Sequence, residues 1–459
     1  MVDIVVISDT IVRPESYEDG SDRAKTIHLT PWDLSFLRTE YAQRALIFPK
    51  PDPETHMISQ LKSSLSAALK IFYPYAGRLV KTHNEDDETA SFFIDCDGSG
   101  VRFVHAAAVT VSVSDVLRPD NDYWSEFFPA NGVKSWEGVS KPLLAFQVTE
   151  LKDGVIIGFG YNHLVTDGAS VWSFFKTWTE IFSTGRKEFP PLSLCGWFLG
   201  GIGYPVRVPI SETVPSPSPS HGLVAASTLQ KKIFRFTSRH VSELKAKANG
   251  EVGGSDNVSS FQAVLGHTWR SIIRNSGLGP EEVIHCKLAM DIRQRLNPPV
   301  EKECFGNMVG LATTTTTAGD MVGNGLGWAA LQINKTVGAQ TNEELRRFAE
   351  DWVKDPKIPN RLVVNNSLTV AGSPRRGGST CMEGPSLSPR FDVFGNDFGW
   401  GKPIAVRGGP GIAGHGKILA YPGTEKGSTE IHTSLWSHVL DKLLADEEFL
   451  QHVDVVVCV

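Results

Sequence analysis

The stretch YNHLVTDGAS (161–170) sets an imidazole and a carboxylate four positions apart, His163 and Asp167, with Gly168 directly after the acid. Imidazole titrates near neutral pH, so a histidine in a pocket can take a proton from a hydroxyl or amine and return it later. Three readings fit these residue types: a base with its supporting carboxylate, half of a metal site, or a packed strand-end histidine beside a capping aspartate. With thirteen histidines in the chain, roughly one such spacing is expected by chance. A metal pair at this spacing requires both residues on one helical face, and a third ligand. The preceding run GVIIGFG has the pattern of a strand, however, and helical spacing begins only at Gly168. Residues 163–167 then form a turn, and Thr166 or Asp167 is placed to cap the aromatic-rich helix GASVWSFFKTWTEIF.

A second stretch, FGNDFGWGKP (394–403), gathers Asp397, Trp400, Gly399 and Gly401 in one short loop. Glycines there let the backbone approach a ligand, and the indole supplies a flat wall. The nearby GPGIAG (409–414) matches G-x-G-x-x-G, but a phosphate cradle needs a strand before it and a helix directly after. Here KPIAVRG precedes and KILAYPG follows, so the segment reads as a glycine-rich hairpin loop. Neither G-x-S-x-G nor H-E-x-x-H occurs, and NEDDE (84–88) reads as a solvated loop.

The elements that must position these residues are legible in outline. A chain of 459 residues exceeds what one core usually organises, so two domains are expected. PLLAFQVTEL and VIIGFGYNH, separated by Asp153-Gly154, read as an antiparallel hairpin ending at His163. ASFFIDCDGSGVRFVHAAA reads as two strands around a Gly-rich turn. Residues 190–228, which include VPISETVPSPSPSHG, lose all periodicity and read as an exposed crossover linker. Strands and helices then alternate to the end. The expected class is α/β, with α+β mixed sheets, in an N-terminal domain 1–189 and a C-terminal domain 229–459. A net charge of −6 argues against nucleic-acid binding. Six scattered cysteines without a CxxC pair suggest free thiols in a reducing, cytoplasmic setting. MVDIVVISDT reads as a first strand, not a signal peptide, and no run approaches a membrane span.

His163-Leu164-Val165-Thr166-Asp167-Gly168 and Asp397-Phe398-Gly399-Trp400-Gly401 together resemble the HxxxDG and DFGWG motifs of the plant BAHD acyl-CoA-dependent acyltransferases. LTPWDLSFLR (29–38), LKSSLSAALKIFYPYAGRL (61–79), SSFQAVLGHTWR (259–270), DIRQRLNPP (291–299) and CFGNMV (304–309) are similar to further family blocks, in order. The details look closest to the subgroup related to the enhanced-pseudomonas-susceptibility protein. The resemblance implies two chloramphenicol-acetyltransferase-like domains around a channel, with His163 as general base. It implies acyl-CoA as co-substrate, a small-molecule acceptor, direct attack without an acyl-enzyme, no metal, no bound cofactor and a monomer. Asp167 would brace the loop through Arg293, or failing that Arg295, and Asp397 would be structural. Gly168, Trp400, Gly399, Gly401 and Trp32 would line the channel, and Ser260, Asp291 and Lys402 would meet CoA. The run VWSFFKTW offers no arginine for a malonyl carboxylate, which favours an acetyl or aromatic acyl group. A lyase using the same pocket and base is the alternative, and a silent binding protein a third reading. RGGSTCMEGP (376–385) reads as a lengthened surface loop before the DFGWG stretch.

Overall fold

The apolar runs of the first half become a mixed sheet whose inner strands are buried on both faces, while its edge strand Val5–Val12 is largely exposed. In this computed structural model the described residues are 3–15, 25–118, 124–198, 200–213, 229–254, 257–359, 366–372, 392–410, 414–423 and 425–455. Among them the first sheet orders its strands Val5–Val12, Val101–Ala108, Leu144–Leu151, Gly154–Tyr161, Ala42–Pro49 and Ala405–Gly408. The hairpin expected before His163 is present, with Phe146 opposite Phe159. Its strands lack polar alternation because Leu46, Phe159 and their neighbours pack under helices on one face while Ala45, Ile47 and Ile156 pack on the other. Helix Gly168–Thr184 covers the first face through Val171, Phe174, Phe175 and Trp178, the spacing of one helical stripe. Trp178 fixes that packing by donating its Nε1–H to Ser64 of helix Met57–Ile71 at 3.0 Å.

The second sheet runs Val309–Thr317, Val283–Asp291, Ser367–Gly372, Lys417–Pro422, Thr429–Trp436, Leu229–Phe236 and Asp454–Val455. Helices Ser238–Glu251, Ser260–Ser276, Leu326–Gly338 and Ser437–Leu443 cover one face of it around Phe234, Trp269, Ile418 and Ile431. A small third sheet joins Thr26–His28, Thr89–Asp95 and Arg78–Asn84.

Several expectations change. The two strands around DGSG do not pair: Thr89–Asp95 lies in the small sheet and Val101–Ala108 in the first. The strands on either side of 409–414 do not pair as a hairpin, since Ala405–Gly408 pairs with Ala42–Pro49 and Lys417–Pro422 belongs to the second sheet. A strand late in the chain thus completes the first sheet, so the sheets are not divided at residue 229. The crossover is also less featureless than its composition, because Arg207–Pro209 adds to Thr89–Ser91. Residues 214–228 and the lengthened loop 376–385 lie outside the described residues. Cys195 and Cys304 are joined as a disulfide across 109 positions, against the expectation of free thiols throughout. The fold closes a distance that spacing alone does not reveal, while Cys96 and Cys286 are free and buried. Among the described residues no helix is long and apolar enough to cross a membrane.

Candidate active site

His163 stands just past the end of a buried strand, in a turn tied at both ends. Asn162 is fully buried, and its Nδ2–H donates to the Ser135 carbonyl at 2.8 Å. Its Oδ1 accepts the Leu164 N–H at 3.0 Å, a local side-chain turn that bends the chain at His163. Thr166 Oγ1 and Tyr75 Oη share a hydrogen bond of 2.9 Å at the other end. The half-buried His163 ring stacks on Phe36, with centroids 4.2 Å apart and planes at 15°, and lies 5.7 Å from the Tyr161 ring. From the other half of the chain, Asn307 Nδ2–H donates to the His163 carbonyl at 2.7 Å.

Asp167 faces a different set of groups. It caps helix Gly168–Thr184, with Oδ1 accepting the Ser170 N–H at 3.0 Å. Its Oδ2 accepts the Met308 N–H at 3.0 Å. Arg293 grips both oxygens, Nη1–H to Oδ2 at 2.7 Å and Nη2–H to Oδ1 at 3.2 Å. This is the fork geometry that matches guanidinium to carboxylate. The pair is sealed, with side-chain exposures of 3% for Asp167 and 0% for Arg293. Burial pushes the Asp167 carboxyl up, but the Arg293 charge and these hydrogen bonds outweigh it and hold the carboxyl below its ordinary value. Arg293 also donates to Asp291 Oδ1 at 3.2 Å and to the Cys304 carbonyl at 3.1 Å. It thereby pins the disulfide-bearing segment that continues to Asn307 and Met308.

Sequence reasoning missed three groups at this site: Asp33, Phe36 and Asn307. Asp33 closes a capping box with Thr30, whose N–H it accepts at 2.7 Å. That box was legible in T-P-W-D. What was not legible is its surroundings: Asp33 is buried, and that burial, opposed by hydrogen bonds from Thr30 and from the Asn307 N–H, pushes its carboxyl up to about 7. Asp33 and Asp167 thus hold the successive N–H groups of Asn307 and Met308, and that segment holds the His163 backbone.

The structure does not bring the DFGWG loop to His163. Trp400 stacks on Phe398 and packs edge-on against Phe48 and Phe182. Phe48 pairs with Val155, six residues before Tyr161 and so about 20 Å along the strand at roughly 3.3 Å per residue. Phe182 lies near the end of the helix that Gly168 begins, again about 20 Å away at 1.5 Å per residue. Trp400, Gly399 and Gly401, expected to line the channel, therefore stand away from His163, with the two motifs at opposite ends of the same strand and helix. Asp397 holds its own loop by accepting the Gly399 and Gly401 N–H groups at 2.7 and 3.1 Å. Open clefts of about 710 and 380 Å³ lie at this distal end, lined in part by His56 and Val155 and by Phe182 and Trp400; neither reaches His163.

Trp32 is turned into a cluster with Cys195, Ile292 and Met308, and it is Phe36 that meets the imidazole. Gly168 is the first residue of its helix and half-buried. Ser259, not Ser260, caps helix Ser260–Ser276. Asp291 is turned to Arg293, and Lys402 is exposed.

Residues 2–450 match the model of the transferase family. The chain is 52% identical to an uncharacterised acetyltransferase of Arabidopsis thaliana, over 98% of this chain and 99% of that one. It is 46% identical to the Arabidopsis thaliana protein Enhanced Pseudomonas Susceptibility 1, over 99% of both. In fold it is similar to F. sporotrichioides TRI101 complexed with coenzyme A and T-2, with a TM-score of 0.73 at 17% identity over 94% of this chain and 100% of that one.

Proposed function

Since the chain belongs to the BAHD acyltransferases, a family that moves acyl groups from CoA to hydroxyls or amines, we propose that it transfers a neutral acyl group, acetyl or aromatic, to a specialised plant metabolite with His163 as general base. One observation carries the role of the histidine. Among the described residues, the hydrogen bonds to the Asp167 carboxylate come from Ser170, Met308 and Arg293, so the acid is committed to scaffold while the imidazole is clamped by Phe36.

A His163 ring nitrogen takes the proton of the acceptor as its oxygen or nitrogen attacks the thioester carbonyl. The carbonyl carbon passes through a tetrahedral oxyanion, the C–S bond breaks, and the imidazolium returns the proton to the CoA thiolate. Holding His163 from both sides favours this direct attack, because orientation replaces a costly bimolecular encounter. In this reading the CoA arm runs along Ser260 and Lys402, as the family resemblance favours. Asp291 is the weaker choice, being engaged by Arg293.

The test is titration with CoA and acetyl-CoA, followed by an acceptor screen read by mass spectrometry. His163→Ala should keep CoA affinity and lose transfer by about a hundredfold to ten-thousandfold. Turnover of a CoA-free substrate without measurable CoA affinity would favour the lyase alternative and sink the transfer reading.

A further inference from the structure

The short element LTPWDLSF supplies His163 with two different contacts. Helix Pro31–Leu34 is closed by the Thr30–Asp33 capping box, and the chain turns directly into Phe36, whose N–H donates to the Asp33 carbonyl at 2.9 Å. The Phe36 carbonyl accepts both the N–H and the hydroxyl of Thr39, at 3.0 and 2.8 Å. Its ring is packed into the first core cluster, and the residue is 7% exposed. A buried ring on a backbone tied at both its N–H and its carbonyl keeps one orientation. Asp33 meanwhile accepts the Asn307 N–H, and Asn307 holds the His163 carbonyl. One turn thus fixes the backbone of the histidine at one remove and its ring directly.

The ring contact has a specific geometry. The Phe36 and His163 centroids are 4.2 Å apart with planes 15° from parallel, whereas the Tyr161 ring lies 5.7 Å away at 51°. A face-on stack covers one face of the imidazole and leaves its edge, where both nitrogens lie, uncovered by Phe36. It also sets the plane of the ring, and so the direction in which a nitrogen can take a proton. The face of a phenyl ring carries the negative part of its quadrupole. Neutral imidazole gains little from that face. Imidazolium is a cation, and 4.2 Å is well inside the roughly 6 Å over which such a face attracts positive charge. The charge appears when His163 takes the proton of the acceptor and disappears when the proton passes to the CoA thiolate. An attraction that exists only while the charge exists lowers the barrier rather than the ground state. Asp167, the carboxylate nearest in sequence, does not serve as counter-charge, since Arg293 holds it at 2.7 Å.

We propose that Phe36 is a positioning residue for the reaction: its ring fixes the plane of the His163 imidazole, and its π face stabilises the imidazolium formed as the proton moves. The effect on rate rests on the proposed transfer; the stabilisation of the charged ring does not.

The test places monofluoro-, difluoro- and trifluorophenylalanine in turn at position 36 of the full chain. Fluorine withdraws charge from the π face with little change in ring size, so packing is kept while the attraction is stepped down. The midpoint of the His163 titration is read by NMR of the carbon-bound imidazole protons, assigned by their loss in His163→Ala. It should move to lower pH across the series, by about half to one pH unit at the trifluoro ring. On the alkaline plateau kcat should fall in step, by about threefold to tenfold, with CoA affinity unchanged within about twofold. Titratable groups on the surrounding elements include Tyr161, Tyr75, Asp33 and the Asp167, Asp291 and Arg293 set, and the series alters none of their charges. Phe36→Leu loses orientation as well as the π face and should fall below the trifluoro protein. A midpoint that stays fixed across the series, or a rate that does not follow it, would overturn the assignment. Absence of transfer from any acyl-CoA would sink the transfer reading and leave the midpoint to decide the stack.

Discussion

Replacing Asp167 with Asn separates scaffold from catalyst. The substitution keeps an oxygen for the Ser170 N–H, so the helix cap survives. It turns an amide N–H₂ toward donors instead of a carboxylate oxygen and strands Arg293, whose side chain is 0% exposed. Removing one partner of a buried ion pair costs about 3–5 kcal/mol. Asp291 remains 3.2 Å from Arg293 and offsets part of the stranded charge, which puts the expectation near the lower end. At roughly 2–4 °C per kcal/mol, the value for folding units of about 150–250 residues, the melting midpoint should fall by about 10 °C. Adding Arg293→Met removes the stranded cation and should recover part of the loss. Thermal unfolding and transfer are measured together. Transfer per folded molecule should exceed that of His163→Ala. A variant melting within about 1 °C of the parent, yet as inactive as His163→Ala, would refute the scaffold role; a shift of the size above exceeds that margin several-fold.

Three further outcomes are expected. Asp33 has its pKa raised, so its protonated form is the one the fold favours, and its contribution to stability is present at low pH and lost as pH rises from about 4 toward about 7. Asp33→Asn should flatten that part of the stability profile, by a few kcal/mol at most; an unchanged profile in thermal melts at pH 5 and pH 8 would contradict it. Cys195→Ser opens the 109-residue covalent loop and should destabilise by about 4–5 kcal/mol on a chain-entropy estimate. Matching denaturant curves for the variant and the parent, with and without a dithiol reductant, would exclude that contribution. Trp400→Ala should cost a few kcal/mol of packing at the distal end while CoA affinity changes less than about threefold. A selective loss of CoA affinity without destabilisation would return Trp400 to the site.

Local pattern carried the hairpin, the helix after Asp167, the turn that holds His163 and the cap at its end. Each is set by residues within a few positions of one another, through apolar periodicity and side-chain hydrogen bonds that short spacing makes legible. The resemblance added Arg293 as the partner of Asp167, 126 positions away. It misled for Trp400, because two motifs at one enzyme's ends need not meet: a strand and a helix of fixed rise hold these about 20 Å apart. The Cys195–Cys304 bond and the Asp33 and Asn307 link to the His163 backbone left no trace in spacing. Each joins segments distant in sequence, and only tertiary packing decides which side chains meet there.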